Sequence, residues 1–81
     1  MNIAEMHPYQ DKTVILKLSD GEITTAKIAF VDAEYEDIIV DVLSTNRPDN
    51  YRHPDAAYTI AAADLVSVEE VLGPISKSPT T

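Results

Sequence analysis

The densest run of residues that could do chemistry is acidic. Asp32, Glu34, Glu36, Asp37 and Asp41 place five carboxylates within ten residues. Carboxylate oxygens are the ligands that Ca²⁺ and Mg²⁺ prefer in proteins. The spacing and the glycine of an EF-hand loop are absent, however, and strand alternation turns two of these carboxylates outward. The sequence therefore favours a solvated hairpin tip, with Asp32 accepting hydrogen bonds in the turn that follows it.

A second group of functional side chains lies in the polar segment 46–55 and includes both arginines of the chain. One interpretation is an anion or nucleotide contact with a stacking tyrosine. The other, which the sequence favours, is a loop whose arginines pair with Asp49, Asp55 or a neighbouring subunit. Loops on rigid scaffolds often carry function, so any ligand contact is expected here. The four side chains concerned are Arg47, Tyr51, Arg52 and His53.

Catalytic and metal-binding motifs are missing from the sequence. There is no cysteine, and His7 and His53 are not spaced as a metal-binding pair. Gly21 and Gly73 are the only glycines, so there is no phosphate-cradling loop and no nucleophile elbow. The sequence predicts a protein that is not an enzyme and uses no cofactor or metal.

The charge balance is strongly acidic, with 6 basic and 14 acidic residues and a net charge of −8. Phosphate binding draws most of its affinity from lysine and arginine, so this balance disfavours nucleic acid and anionic membranes as partners. No apolar run approaches the ~20 residues that a membrane span needs. The N-terminal residues lack the basic start and apolar stretch of a secretory signal. We therefore expect a cytoplasmic protein without a membrane partner.

Hydrophobic alternation predicts five strands in one domain over residues 1–72, followed by a flexible tail at 73–81. Val14, Leu16 and Leu18 share one face of the first strand, and the Asp20-Gly21 pair that follows is a strong hairpin signal. Pro8 limits any N-terminal helical turn, which is expected to end near Met6. The predicted strands cover 13–18, 23–32, 37–43, 57–60 and 65–71.

The inward face of the middle strands follows from the same alternation. Ile28 and Phe30 are predicted to share a face while Val31 falls on the other, which indicates a bend within the second strand. In the third strand Ile38, Val40 and Val42 form the expected inward set. Five short strands separated by turn signals favour a small closed barrel, and residues 61–64 should make a tight connection between its last two strands.

The order and spacing of these elements resemble those of the Sm family, which includes the Sm and LSm proteins and bacterial Hfq. In the first Sm motif an alternating apolar strand precedes Asp-Gly, a Gly five residues on, an aliphatic residue, Phe-Asp and, four residues later, an Asn. This chain has Asp20-Gly21, Ala26, Ile28, Val31-Asp32 and then Glu36 at these positions. The second motif, an aliphatic residue, Arg-Gly and Ile-x-x-Ile, reads here as Ile60, Ala61-Ala62 and Leu65 to Val68. The resemblance implies a five-stranded barrel of the Sm-like type, with another SH3-like barrel as the alternative fold.

The resemblance fails where Sm proteins bind RNA. In the family, the Asp, the Asn and the Arg-Gly build the uridine pocket. This chain keeps Asp32 but has Glu36 in place of the Asn and Ala61-Ala62 in place of Arg-Gly. A glutamate can only accept hydrogen bonds when ionised, and alanine offers neither charge nor a stacking plane. The two basic residues of the Hfq motif are also absent, because Tyr58 is followed by Thr59 and Ile60.

Family members form rings in which the fourth strand of one subunit pairs with the fifth strand of the next. The resemblance therefore implies a homo-oligomer, which would also support a core this small and cover its exposed strand edges. We expect a non-enzymatic, oligomerising protein-interaction or scaffold module. The alternatives are an RNA-binding protein that uses the Arg47–His53 loop, and a small accessory barrel with another partner. The expected interface residues are Tyr58, Ile60, Val66 and Val68.

Overall fold

The computed structural model describes residues 1–53 and 56–72. Five antiparallel strands form one sheet in the order β4-β3-β2-β1-β5. A mainly β fold of five strands with a short N-terminal helical segment is thus confirmed. The elements in chain order are the 3-10 helix η1 (Ile3–Tyr9), β1 (Thr13–Leu18), β2 (Ile23–Asp32), β3 (Asp37–Thr45), η2 (Pro48–Asn50), β4 (Tyr58–Ala61), η3 (Ala62–Asp64) and β5 (Leu65–Glu70).

The β1–β2 hairpin forms where the Asp-Gly pair predicts it. Gly21 has φ +91°, a conformation that suits a residue without a Cβ. The Asp20 carboxylate accepts a hydrogen bond from the Glu22 amide at 2.9 Å, and the Leu18 amide donates to the Glu22 carbonyl at 2.9 Å. These bonds fix the register that pairs Lys17 with Ile23.

The predicted bend in β2 is present, but its effect on Phe30 differs from the prediction. The pairing of β2 with β3 shifts register between Ile28 and Phe30. Residues 24, 26 and 28 face the core before the shift, whereas Val31 faces it afterwards. Phe30 is therefore 48% exposed and does not share the buried face of Ile28. The prediction for Phe30 was wrong because a bulge adds one residue and reverses the alternation.

The core is built from the inward faces of all five strands, as the alternation predicts for β1 and β3. Leu16 and Ile28 are fully buried at its centre, and Thr24 is buried with them near one end of β2. The other buried apolar members of the cluster are Met6, Val14, Ala26, Val31, Ile38, Val40, Ile60 and Leu65.

The N-terminal segment is longer than the sequence predicts. It runs as a 3-10 helix to Tyr9, past the expected end near Met6. Asn2 and Glu5 form a capping box at its start, and Met6 packs into the core. Pro8 does not stop the segment because the φ that its ring imposes lies within the range of a 3-10 helix.

The sheet is not closed into a barrel, which corrects the prediction of a closed cylinder. All four residues of β4 pair with β3, and β5 pairs with β1, so β4 and β5 end the hydrogen-bonded order. The three-residue turn η3 carries the chain from one end of this order to the other. Ile60 and Leu65 nevertheless pack into one core, so the sheet curls without joining its edges. The predicted tail at 73–81 lies outside the described residues.

Candidate functional site

The residues singled out from the sequence lie at opposite ends of the β2–β3 pair. The positions compared with the Sm motifs, Asp32, Glu36, Ala61 and Ala62, are near the place where β2 ends and β3 begins. The loop that contains Arg47 and Tyr51 follows the other end of β3, beside the start of β2. At ~3.3 Å per residue, the ten residues of β2 separate the two groups by roughly 30 Å along the strand.

The positions compared with the two Sm motifs lie close together although they are distant in sequence. The Asp32 carboxylate accepts hydrogen bonds from the Glu34 amide at 3.0 Å and the Tyr35 amide at 3.2 Å, the role predicted for it. The Ala62 amide donates to the Glu36 carbonyl at 2.9 Å, and Asp37 pairs with Ala61. The β2–β3 turn and the β4–η3 corner are therefore in direct contact.

The side chains at this corner offer little binding chemistry. Glu36 and Ala61 are exposed, while Ala62 is buried. Within residues 1–53 and 56–72, no group of three histidine, aspartate or glutamate side chains is placed to hold a metal ion. The side chains of Glu36, Ala61 and Ala62 are one carboxylate and two methyl groups, so these positions do not supply the cation and stacking plane that the Sm uridine pocket uses.

A buried carboxylate organises the opposite end of the strands. Glu22 is only 2% exposed, and its Oε2 accepts hydrogen bonds from the hydroxyls of Thr24 and Tyr51. Its Oε1 accepts from the Asn50 side-chain amide at 3.2 Å. The Thr24 hydroxyl also lies 2.9 Å from the hydroxyl of Thr45 on β3. Glu22 thereby ties η2 and the following residue to the ends of β2 and β3.

Tyr51 links this network to β4. Its ring packs edge-on against the ring of Tyr58, with centroids 4.9 Å apart and planes at 89°. Burial, together with the hydrogen bond and charge of Glu22, raises the pKa of Tyr51 above its ordinary value. The phenol therefore stays protonated and serves as a donor to Glu22.

Two residues at the start of the loop are held by the β1–β2 hairpin. The Asn46 side chain accepts from the Ile23 amide at 2.9 Å and donates to the Gly21 carbonyl at 3.3 Å. Arg47 donates from Nη2 to the Asp20 carbonyl at 2.8 Å. Arg47 therefore bonds to the backbone of the β1–β2 hairpin, whereas the sequence suggested Asp49 as a partner for an arginine.

The remaining predicted loop residues differ in exposure and contacts. The side chains of Arg52 and His53 are exposed, and the backbone of His53 exchanges hydrogen bonds with the Tyr58 hydroxyl at 2.8 and 3.2 Å. Of the four predicted loop side chains, Arg47 and Tyr51 make internal hydrogen bonds. Asp55, the other proposed partner of the arginines, lies outside the described residues.

A groove of about 320 Å³ runs beside this network. It lies between the second half of β3 and the loop, with Tyr51 and Tyr58 on its far side. A smaller cavity of about 160 Å³ lies under the β1–β2 hairpin between Leu18 and Asp64. The larger groove is lined by Val42, Leu43, Ser44, Thr45, Pro48, Tyr51 and Tyr58.

The predicted interface residues lie on the two edge strands, but most already pack within the subunit. Ile60 is buried in the core, and Tyr58 and Val68 are partly buried against it. Val66 is 62% exposed and lies where the pairing of β5 with β1 shifts register.

Comparisons with protein-family models, with curated proteins and with solved structures found no significant match. In the part of the chain that the structure describes, no helix has the length and apolar character needed to cross a membrane.

Sequence reasoning missed Glu22, which follows the Asp20-Gly21 turn directly. The signal was its phase, because Glu22 shares a strand face with Thr24, Ala26 and Ile28. A polar residue in phase with a buried face needs hydrogen-bond partners. Tyr51 and Asn50, which donate to it, come from the one polar loop that was singled out.

Proposed function

We propose that this chain is an Sm-like, non-enzymatic module that assembles with copies of itself through β4 and β5 and acts as a protein-interaction or scaffold unit. The observation that carries the proposal is the strand order. β4 and β5 end the order β4-β3-β2-β1-β5 and share a core, yet each has an edge without a strand partner among the described residues. Free edges pair readily with another chain.

Two further observations support the Sm-like interpretation. The contact between Glu36 and Ala62 joins the two stretches that resemble the Sm motifs. The N-terminal η1 adds Met6 to the core of the curled sheet. Because the corner lacks the uridine-reading side chains, the proposal is restricted to assembly and protein contacts. A cytoplasmic location stays a prediction.

Light scattering at micromolar protein concentration tests the assembly. The monomer has a mass of 8.9 kDa, and we expect a defined multiple of it. Val66→Asp places a charge on the β5 edge and should shift the protein toward the monomer. Phe30→Asp is the matched control, since Phe30 is 48% exposed on β2, an inner strand of the sheet. A wild-type protein that remains a strict monomer would rule out the assembly.

RNA binding through the loop is the second candidate, favoured by the exposure of Arg52 and His53 beside Tyr51. The net charge of −8 and the Glu22 carboxylate in the same cluster oppose it. It requires salt-dependent binding to single-stranded RNA that Arg52→Ala weakens more than Lys17→Ala, an exposed cation on β1. Absence of binding at low salt would eliminate it.

A further inference from the structure

The second half of β3 has an open edge. β4 begins at Tyr58, which pairs with Val40, so β4 pairs only with Asp37 to Val40. Asp41, Val42, Ser44 and Thr45 pair with β2 on one side, and Leu43 lies at a register shift between them. Among the described residues, no strand pairs with their other side. An open edge of this kind can accept an added strand through main-chain hydrogen bonds.

The groove of about 320 Å³ lies along this open edge. Its volume is at the lower end of the range of about 300–1,000 Å³ for ligand pockets, which suits a short segment of chain. Val42, Leu43 and Pro48 give it an apolar surface, and Leu43 is 61% exposed to solvent. Backbone pairing and side-chain contacts are thus available in the same place.

The far side of the groove is held in position before any partner arrives. Tyr51 is fixed through its hydroxyl to buried Glu22 and through its ring to Tyr58. The Tyr58 hydroxyl is in turn bonded to the His53 backbone. A fixed wall lowers the entropic cost of binding, because these side chains need not be ordered on association.

Charge selects the kind of partner. Asp41 is exposed at the start of the open edge, and although Lys27 is its register partner on β2, Asp41 forms no ion pair with a described residue. A strand added here would place one of its side chains beside Asp41, where opposite charges are favourable. The β5 strand of a second copy fits poorly at this place, since it would bring Glu69 and Glu70 toward Asp41.

We propose that the groove beside Asp41 to Thr45 binds an extended, basic segment of another protein, which adds as a strand to the edge of β3. Apolar side chains of that segment pack against Leu43, Tyr51 and Tyr58. A cationic side chain of the segment lies beside Asp41. This binding site goes beyond the proposed assembly, because it uses β3 and not the outer edges of β4 and β5.

The probe is a fluorescein-labelled heptapeptide with the sequence Lys-Val-Lys-Tyr-Lys-Val-Lys, blocked at both ends and titrated with the full chain by fluorescence anisotropy. Saturable binding is expected for this peptide and not for its glutamate-substituted counterpart. A version with N-methylated backbone amides should also fail to bind, because it cannot pair with β3. Equal binding of the N-methylated peptide would overturn strand addition.

Two pairs of variants locate the site. Leu43→Ser should weaken peptide binding about fivefold to tenfold, whereas Phe30→Ser, at an exposed position on β2 outside the groove, should leave it unchanged. Asp41→Asn should weaken it roughly two- to fivefold, and Glu34→Gln, an exposed carboxylate at the hairpin tip, should not. Equal effects of Asp41→Asn and Glu34→Gln would mean binding to overall charge, and equal effects within either pair would overturn the site.

The site and the proposed assembly can fail separately. A monomeric protein that binds the peptide with these variant effects would overturn the assembly alone. An oligomer that shifts with Val66→Asp but does not bind the peptide would overturn the groove alone. Binding of single-stranded RNA that Leu43→Ser abolishes, without peptide binding, would also overturn the inference that the partner is a protein segment.

Discussion

At the scale of single residues, Glu36 adopts a backbone conformation that disfavours its own type. Its φ is +54°, in the left-handed region that glycine and asparagine tolerate better than glutamate. The turn needs this conformation because the Glu36 carbonyl accepts the hydrogen bond from the Ala62 amide. The contact between the two motif-like stretches therefore depends on one strained residue.

Replacing Glu36 with glycine should stabilise the protein. We expect Glu36→Gly to raise the free energy of unfolding by about 0.5–1 kcal/mol, since relief of strain exceeds the entropy that glycine adds to the unfolded chain. Urea denaturation measures the change. Glu34→Gly is the control in the same turn, and because Glu34 does not have positive φ it should gain nothing. Destabilisation by Glu36→Gly would contradict this account of the turn.

The buried Glu22 depends on its hydrogen-bond donors. Tyr51→Phe removes one donor and should lower the free energy of unfolding by about 1–2 kcal/mol, because a buried carboxylate loses a partner. Tyr35→Phe is the matched control, since Tyr35 is 73% exposed. Equal stability of the two variants in urea would show that the Glu22–Tyr51 bond contributes nothing.

The same bond predicts a dependence on alkaline pH. Burial and the Glu22 carboxylate raise the pKa of Tyr51 in the folded state, whereas the unfolded phenol ionises near its ordinary value of 10.0. The folded state therefore favours the neutral phenol. The contribution of this preference to the free energy of unfolding is complete below pH 10 and is lost as the pH rises further. As the pH rises from one unit below 10.0 to one unit above it, the free energy of unfolding should fall more for wild type than for Tyr51→Phe. Equal losses in the two proteins would contradict a raised pKa of Tyr51 in the folded state.

At the scale of elements, the sequence predicts best where local chemistry and alternation agree. β1 and β2 have the predicted bounds because Asp20-Gly21 sets the turn between them. β3 continues two residues further than predicted because its pairing with β2 reaches Thr45. The bulge near Phe30 could not be predicted, since an inserted residue leaves no mark on propensity and depends on the curvature of the whole sheet.

The candidate site was predictable only in part, for a similar reason. The loop with Arg47 and Tyr51 stands out by composition, and the corner at Glu36 by resemblance. The bonds from Tyr51 and Asn50 to Glu22 join residues 28 or 29 positions apart. Such contacts follow from tertiary packing, which alternation along one strand does not specify.

The 3-10 helix η1 should contribute stability through one side chain. Met6 is fully buried in the core, so Met6→Ala is expected to lower the free energy of unfolding by about 2–4 kcal/mol. His7→Ala, at an exposed position in the same helix, should change it little. Urea denaturation compares the two variants. A small effect of Met6→Ala would mean that η1 is not part of the folded unit.

At the scale of the whole molecule, a net charge of −8 is combined with a small core, and in the described part of the chain the outer edges of β4 and β5 have no strand partner. A domain of this length gains limited stability from its own core, and pairing of β4 with β5 between subunits would add buried area. The charge opposes self-association at long range, so the expected assembly should tighten as salt screens the repulsion.

Amide hydrogen exchange at increasing protein concentration tests the pairing of β4 with β5 between subunits. The outward-facing amides of Tyr58–Ala61 and Leu65–Glu70 should exchange more slowly as the concentration rises, while those of the Asp32–Asp37 turn stay unchanged. Val66→Asp should abolish the concentration dependence. Exchange at both edges that is the same at every concentration would contradict the pairing of β4 with β5.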